Sequence, residues 1–422
     1  MEMTIDSLGE ARIPSPLQRT VNEKIRIPYR ILQQPGAPVP EEITFEIAGP
    51  RERLFFHKSE VKAGIVTCGG LCPGLNNVIR SIYYELSHAY GVQEIYGFLY
   101  GYQGLDPVRG GEPMRLTAEF VDPIHRRGGT VLGTSRGPVD PAIAIENLMK
   151  RGINMLFCVG GDGTQRGANA LHHEAERRGY PLAVVGIPKT IDNDVGYVAR
   201  TFGYLTAVEE VREILDCAHQ EARSVFNGIS LVKVMGRNAG FIAAGATIAS
   251  QDVNFTLIPE VPFALAGPGG FLDAVKTRIL RRSHAVIVVA EGAGQDLLSR
   301  NGSGKDASGN VKLGDIGVFL KDQIETYFKK EGVPLVFRYF DPSYVIRSQP
   351  ANPEDSILCD LYARNAVHAA MSGKTGLVIG YLHDTFIHVP VEASVAEKKC
   401  LDPASGWWHA VLAATGQPAR FV

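Results

Sequence analysis

Residues 155–177, MLFCVGGDGTQRGANALHHEAER, decide the fold of this chain because they contain a complete strand–turn–helix unit. Met155–Val159 is a short apolar run, typical of a buried strand, and it ends at Gly160 and Gly161. The pattern that follows predicts a helix over Thr164–Arg178. A buried strand that turns through glycines into a helix indicates the βαβ units of a parallel sheet.

The same unit recurs on both sides of this stretch. Further strands are predicted at Ala63–Cys68, Leu182–Ile187, Ile229–Val234, His284–Ala290 and Leu377–Leu382, and further helices at Gly74–Tyr90, Phe202–Ala222, Ala239–Gln251 and Pro353–Ser372. Because the strands are continuously apolar, helices must cover both faces of each sheet. We therefore expect an α/β protein with two doubly wound, mainly parallel, Rossmann-like domains, a cleft between them, and an N-terminal extension over residues 1–60.

Composition narrows the class of protein. The 422 residues suit two or three domains, and the formal net charge of −2 provides no field for gathering nucleic acid or an anionic membrane. No run approaches the ~20 apolar residues of a membrane helix, and the polar start Met1–Arg12 does not resemble a signal peptide. The six cysteines include no CxxC pair. These features predict a cytoplasmic protein that binds neither nucleic acid nor membrane.

Glycine-rich segments follow two of the predicted strands. Gly69–Asn77, GGLCPGLNN, is either a phosphate-binding loop or a plain strand-to-helix turn. In Gly160–Thr164, GGDGT, the glycines let the backbone approach a polyphosphate, and Asp162 is a hard oxygen ligand for Mg²⁺. The alternative is that Asp162 merely caps the next helix. GGDG also occurs in NAD kinases and diacylglycerol kinases, so this motif indicates a kinase without saying which one.

Polar residues also follow the remaining strands. In Pro188–Asp194, PKTIDND, two carboxylates two residues apart suit a general base and an orienting group, although a solvated acidic turn is the alternative. Arg237 in MGRNAG suits an anion, or else it is an ordinary surface arginine. Glu291 in AEGA suits a sugar hydroxyl, or else it forms an internal salt bridge. The cationic side chains near predicted strand ends, which together suit a substrate with several phosphates, are Lys189, Arg136, Arg237, Arg338 and Arg347.

Taken in order, these segments resemble the phosphofructokinase family. The matching motifs are GGLCPGLNNVIR, GYQGL, GTSRG, GGDGT, PKTIDND, MGRNAG, AEGA and YVIR, which lie between residue 64 and about residue 390. PKTIDND followed by MGR is specific to this family, whereas NAD and lipid kinases share only GGDG. The resemblance implies phosphoryl transfer from ATP to the 1-hydroxyl of fructose 6-phosphate, with Mg²⁺ as cofactor and a homotetramer as the assembly.

The resemblance also assigns roles to residues. Positions matching the ATP site are Gly70, Tyr100, Arg136, Gly137, Gly161, Asp162, Gly163 and Thr164, with Asp162 on Mg²⁺. Positions matching the catalytic set are Asp192 as general base, with Thr190, Asp194, Arg136 and Arg237. Positions matching the fructose 6-phosphate site are Thr190, Ile191, Asp192, Met235, Gly236, Arg237, Glu291, Arg338, Tyr344 and Arg347. The implied domains are 61–203 with 345–390 for ATP, 204–344 for fructose 6-phosphate, and a C-terminal segment 391–422.

The phosphoryl donor depends on two positions. Gly163 resembles the ATP-dependent members and leaves room for a nucleotide α-phosphate, whereas Lys189 resembles the pyrophosphate-dependent members. Because Lys189 excludes nothing sterically, we expect ATP, in the trypanosomatid and plant-like type of the family. A pyrophosphate-dependent enzyme and a non-catalytic regulatory subunit are the alternatives. Gly228 and Tyr344 depart from the short bacterial enzymes, which have an arginine and a histidine there.

Overall fold

The structure, a computed structural model, describes residues 3–31, 43–298, 304, 312–396 and 398–422. The described part of the predicted extension is therefore 3–31 and 43–60. Unit 1 consists of Met1–Thr190, Val195–Gly203 and Ser348–Lys398, and unit 2 consists of Ile191–Asp194, Tyr204–Arg347 and Lys399–Val422. Each unit has its own mainly parallel sheet with helices, so the expected α/β class with two Rossmann-like domains is confirmed.

The elements have the following bounds. The strands are β1 (Asp6–Ser7), β2 (Ile13–Pro14), β3 (Arg26–Pro28), β4 (Thr44–Ile47), β5 (Arg53–Leu54), β6 (Lys62–Thr67), β7 (Glu94–Gly97), β8 (Met114–Arg115), β9 (Met155–Gly160), β10 (Ala183–Pro188), β11 (Gly228–Val234), β12 (Phe255–Leu257), β13 (His284–Ala290), β14 (Val336–Phe340), β15 (Lys374–Thr375), β16 (Leu377–Leu382) and β17 (Thr385–Pro390). The helices are α1 (Leu75–Tyr84), α2 (Ala118–Val121), α3 (Pro141–Arg151), α4 (Asp162–Arg177), α5 (Tyr204–Arg223), α6 (Phe241–Ser250), α7 (Phe271–Arg282), α8 (Ile316–Lys330), α9 (Pro353–Met371), α10 (Val391–Ala396) and α11 (Gly406–Thr415).

The sheet of unit 1 has the order β3-β4-β17-β16-β10-β9-β6-β7-β8 in the described part of the chain. Its central strands β16, β10, β9, β6 and β7 are parallel, and the strands at both borders are antiparallel. All residues of β9 and β10 are buried, because helices pack on both faces. From β6 the chain first adds β7 on one side and later β9 on the other. The carboxyl ends of β6 and β9 therefore flank the switch point at which such sheets bind ligands.

The sheet of unit 2 has the order β12-β13-β11-β14, and its strands are parallel throughout. The apolar run His284–Ala290 forms its buried strand β13 between β11 and β12. Helices α7 and α8 pack on it through Phe271, Val275, Leu320 and other apolar side chains. The carboxyl ends of β11 and β13 lie side by side, which places Met235 and Glu291 at the same edge of the sheet.

The N-terminal residues are part of unit 1. Strands β3 and β4 extend its sheet beyond β17, with Glu46 opposite His388. Arg51 is fully buried, and its Nη2 lies 2.6 Å from Glu46 Oε1. His388 Nδ1 and Lys374 Nζ also contact the Glu46 carboxylate, at 3.0 and 3.2 Å. Although burial opposes ionisation, these three cationic or hydrogen-bonding groups hold the pKa of Glu46 well below its usual range.

Most sequence-predicted elements are confirmed. His284–Ala290 and Leu377–Leu382 have the predicted bounds, and the other predicted strands agree within a couple of residues. The helix predicted to run to Tyr90 is regular only to Tyr84 and continues as a wider π-helical turn over Glu85–Ala89. None of the helices in the described ranges is both long and apolar enough to cross a bilayer.

Candidate active site

The first glycine loop, Gly69–Gly74, connects β6 to α1. Gly74 has φ 101°, and a Cβ there would lie 2.4 Å from Cys359 Sγ, so this turn requires glycine. The loop is also fixed by its neighbour at 133–137: the Gly69 N–H donates to the Ser135 carbonyl at 3.0 Å, and the Thr134 hydroxyl donates to the Gly69 carbonyl at 2.6 Å. The GGLCPG and GTSRG motifs therefore form one connected surface.

The second glycine loop, Gly160–Thr164, follows the neighbouring strand β9 and opens helix α4. The Thr164 N–H donates to the Gly161 carbonyl at 2.8 Å, and the buried Tyr102 hydroxyl donates to the Thr164 carbonyl. Gly163 is exposed, and a Cβ there would have no atom of the described residues within 4 Å. Tyr102 thus holds the loop, and Gly163 is exposed at the start of α4, where the N–H groups of Asp162 and Gly163 can meet an anion.

Asp162 is the first residue of α4 and forms an ion pair with Lys398. The Asp162 side chain is 14% exposed, and the Lys398 side chain is 41% exposed. An ammonium group beside a helix N-terminus opposes the helix dipole, so the carboxylate must attract it there. The Asp162 carboxylate offers hard oxygen ligands at the start of α4, which fits the predicted Mg²⁺ ligand.

The residues predicted around the nucleotide lie on the same side of this sheet. Tyr100 has φ 59° and is about half exposed, its N–H donates to the Leu132 carbonyl at 2.8 Å, and its carbonyl accepts from the Ser135 hydroxyl at 2.6 Å. Arg136 is exposed and precedes Gly137, which has φ 110°. Ser135 thus connects Tyr100 to the first glycine loop. The exposed Arg136 is the next residue in the chain.

Lys189 has a specific contact within the chain. It is buried, and its Nζ donates to the Gly70 carbonyl at 2.7 Å. Its own N–H donates to the Gly160 carbonyl at 3.1 Å. Lys189 therefore connects both glycine loops to the start of the PKTIDND segment, a structural role that the sequence did not reveal.

The rest of the PKTIDND segment carries the predicted catalytic residues. In unit 1, Thr190 accepts from the Thr201 hydroxyl through its carbonyl at 2.7 Å. In unit 2, Asp192 is partly buried and Asp194 is buried. Between them Asn193 is buried with φ 56°, a left-handed conformation that asparagine tolerates better than most residues. Such strained positions concentrate at functional sites, which agrees with the predicted role of this segment.

The predicted sugar-phosphate residues of unit 2 meet at the ends of β11 and β13. The Glu291 N–H donates to the Val234 carbonyl at 2.9 Å, and the Gly292 N–H donates to the Gly236 carbonyl at 3.1 Å. Burial raises the pKa of Glu291, while Arg237, Lys233 and Arg347 act in the opposite direction. The structure therefore brings Met235, Gly236, Arg237, Glu291 and Arg347 into one neighbourhood.

Two other predicted residues of unit 2 are placed differently. Tyr344 is largely exposed, with the Arg347 guanidinium 4.6 Å from its ring centroid. Arg338 lies in the middle of β14, opposite Ser230 rather than beyond the strand end, and its Nε is 3.4 Å from Glu221 Oε2. We expected Arg338 near a strand end, but the sequence does not give the register, so the role of Arg338 in binding stays a prediction.

Sequence reasoning missed three residues of the donor side: Tyr102, Thr134 and Lys398. Tyr102 and Thr134 lie inside the GYQGL and GTSRG motifs, so their position in these motifs was an available signal. Lys398 contacts Asp162 from a distant part of the chain, and no local pattern indicates this contact.

A second group of potential metal ligands lies on α4: His172, His173 and Glu176. His172 Nε2 is 3.0 Å from Asp6 Oδ2, and His173 Nε2 is 3.1 Å from Glu392 Oε1. These contacts connect α4 to the N-terminal residues and to α10, and they explain the cluster as a structural one.

Comparison with known proteins shows which proteins this chain resembles. A family model described as phosphofructokinase matches residues 62–370. The chain is 45% identical to the ATP-dependent 6-phosphofructokinase of Borreliella burgdorferi, over 99% of this chain and 97% of the other. It is 48% identical to ATP-dependent 6-phosphofructokinase 5, chloroplastic, of Arabidopsis thaliana, over 88% of this chain and 68% of the other. The solved pyrophosphate-dependent phosphofructokinase from Marinobacter aquaeolei has a TM-score of 0.70 at 19% identity, covers 84% of this chain and 91% of its own, and shows a shared fold.

Proposed function

This chain belongs to the phosphofructokinase family, and from that premise we propose how its residues carry out the reaction. It is an ATP-dependent phosphotransferase that acts on the 1-hydroxyl of fructose 6-phosphate and gives fructose 1,6-bisphosphate and ADP, a committed step of glycolysis. The observation that carries the site assignment is the pair of glycine loops at the ends of β6 and β9, with open space above Gly163.

On the donor side, the backbone of Gly161–Thr164 and Gly70 receives the phosphates of ATP, while Tyr100, Arg136 and Gly137 surround the nucleotide. Asp162 would hold Mg²⁺, because its carboxylate is a hard oxygen ligand that lies at the start of α4, beside the N–H groups assigned to the phosphates. When bound, Mg²⁺ neutralises charge on the phosphoryl group that is transferred. Arg136 adds a second positive charge, and such a cation is worth ~10³-fold or more in rate.

On the acceptor side, Asp192 removes the proton of the 1-hydroxyl as the oxygen attacks. In-line transfer needs this deprotonation together with close alignment of donor and acceptor. Thr190, Ile191 and Asp194 position the base and the sugar. The remaining binding residues are Met235, Gly236, Arg237, Glu291, Arg338, Tyr344 and Arg347. In this set the arginines pair with the 6-phosphate and Glu291 accepts from a sugar hydroxyl.

The pyrophosphate-dependent alternative rested on Lys189. The hydrogen bond from Lys189 Nζ to the Gly70 carbonyl gives this lysine a partner in the chain that does not depend on the donor. The named relatives at 45% and 48% identity are ATP-dependent. The structural role of Lys189 means that its presence is no evidence for pyrophosphate, and the relatives favour ATP.

The experiment that tests the proposal is a coupled assay on fructose 6-phosphate with ATP or pyrophosphate as donor. Wild type should turn over with ATP, and activity should depend on Mg²⁺. Asp192→Asn should lower kcat by about 10²- to 10⁴-fold with substrate binding kept, because it removes a general base without changing shape. Turnover with pyrophosphate alone would favour the alternative donor, and binding without turnover would favour the regulatory subunit.

Two further predictions from the sequence concern where the protein is located and how it assembles. A cytoplasmic location is one of them, and the relative named above from Arabidopsis carries a chloroplast label, so localisation needs its own measurement. A homotetramer is the other. Light scattering on the purified chain at working concentration would measure the assembly directly.

A further inference from the structure

Lys398 and Lys399 are held at the end of the PKTIDND segment by their main chain. Within unit 1, Lys398 forms an antiparallel bridge with Val195. Within unit 2, the Lys399 N–H donates to the Asp194 carbonyl at 3.1 Å. Main-chain pairing of this kind fixes where the Lys398 Cα lies, and rotation about the bonds of a lysine side chain can still move its ammonium group.

From this anchored position the Lys398 ammonium reaches Asp162, the carboxylate to which the Mg²⁺ role is assigned. The contact is partly open to solvent, since the Lys398 side chain is 41% exposed. Ion pairs that are this exposed contribute little to folding stability. The ammonium also lies at the N-terminus of α4, where a positive charge is unfavourable and a phosphate is favourable. Both considerations indicate a function in binding rather than in folding.

We propose that Lys398 is a donor-site residue that exchanges partners when ATP and Mg²⁺ bind. In the chain without ligand it neutralises Asp162. When the donor binds, Lys398 leaves the carboxylate and pairs with a phosphate oxygen of ATP, moving only its side chain. This inference rests on the proposed function, because it needs Asp162 to serve the metal and the α4 N-terminus to serve the phosphates.

The exchange predicts that one variant gains affinity for Mg²⁺ and loses affinity for the nucleotide. Lys398→Met keeps the length of the side chain and removes the charge. Without the competing ammonium, Asp162 should take the metal at a several-fold lower Mg²⁺ concentration. Without the phosphate contact, affinity for the nucleotide at saturating Mg²⁺ should fall by about tenfold, the size expected for one lost charge-assisted hydrogen bond. Lys398→Arg should keep most of the nucleotide affinity.

The test is calorimetric titration of the full chain with the non-hydrolysable analogue adenosine 5′-(β,γ-imido)triphosphate at a series of Mg²⁺ concentrations. The matched control is Lys150→Met, which removes an exposed lysine paired with Glu146 at 2.6 Å, on α3. The control should behave as wild type, and thermal unfolding should show that all variants are folded. The KM for fructose 6-phosphate should not change in Lys398→Met, because that substrate is assigned to other residues.

The outcomes separate this inference from the proposed function. A lower Mg²⁺ requirement together with a weaker nucleotide affinity in Lys398→Met supports the exchange. Unchanged nucleotide affinity at saturating Mg²⁺ overturns it, even if the wild type is a fully active ATP-dependent enzyme. A fall in thermal stability with no change in either binding constant would show that the ion pair is only structural. A wild type that does not bind the analogue would instead contradict the proposed function.

Discussion

Replacing Gly163 by alanine, asparagine or aspartate separates the space at this position from its charge. Gly163 is exposed and is the second residue of α4, and in the part of the chain that the structure describes a Cβ there meets no atom within 4 Å. The folded chain should therefore accept each side chain without moving. We expect Gly163→Ala to be more stable by about 0.5 kcal/mol, because glycine is a poor helix former. Gly163→Asp should gain a similar amount, since a negative charge at a helix N-terminus is favourable.

The effect on ATP should run the other way. A carboxylate ~5 Å from a phosphate oxygen costs about 3 kcal/mol at an effective dielectric constant of 20, and exposure to solvent reduces this to about 1.5 kcal/mol. That corresponds to a roughly tenfold weaker affinity for ATP in Gly163→Asp. Gly163→Asn has nearly the same shape without the charge, so its affinity should fall by less than about threefold on this reasoning.

The assays are the KM for ATP at saturating fructose 6-phosphate and the unfolding temperature of each variant. The expected signature is an aspartate variant that is at least as stable as wild type and yet binds ATP more weakly than the asparagine variant. Equal KM values for asparagine and aspartate would show that volume, not charge, matters at this position. An aspartate variant with the wild-type KM would refute both the steric and the electrostatic account of donor choice.

Three further variants test other parts of the structure. Arg51→Met should lower the free energy of unfolding, measured by urea denaturation, by about 3 kcal/mol, because it leaves the buried Glu46 carboxylate without its arginine. Arg12→Met, which removes one partner of an exposed ion pair, should change it by less than about 0.5 kcal/mol. Equal effects of the two substitutions would contradict the role of burial. Burial lowers the pKa of His368 to about 3, so below pH 6.5 the unfolded chain takes up a proton that the folded chain does not, and stability is lost as pH falls. The free energy of unfolding of wild type relative to His368→Gln should therefore drop by about 2 kcal/mol between pH 6.5 and 5. A difference that stays constant with pH would refute the lowered pKa. Arg237→Met should raise the KM for fructose 6-phosphate by about 10²-fold and leave the KM for ATP unchanged. The control is Arg281→Met, at the end of α7. An equal rise in both KM values would contradict a role of Arg237 in binding fructose 6-phosphate.

The regular elements were predictable because their signal is local. A buried strand such as His284–Ala290 is a continuous apolar run, and glycines mark where it ends, so both its bounds and the position of Glu291 beyond it follow from the sequence. The glycine loops were predictable for the same reason. The turn at Gly74 requires glycine because of its positive φ and its close approach to Cys359, and the sequence shows that glycine directly.

The contacts that join distant segments were not predictable. Lys189 looked like a residue for a phosphate, but its ammonium hydrogen-bonds to a carbonyl in a loop about 120 residues earlier. The ion pair between Asp162 and Lys398 depends on how the chain returns to the sheet. The same is true of the register that places Arg338 in mid-strand. Such long-range pairing leaves no periodicity in the sequence, because each partner alone looks like an ordinary polar surface residue.

The N-terminal strands also affect how this molecule behaves among its neighbours. If β17 bordered solvent, its row of amide and carbonyl groups would offer a template on which strands of other molecules could assemble. β4 occupies that row, and the outermost strand β3 is only three residues long and ends at Pro28, which has no amide hydrogen to offer. A preparation trimmed of these residues should therefore lose colloidal stability and precipitate on storage.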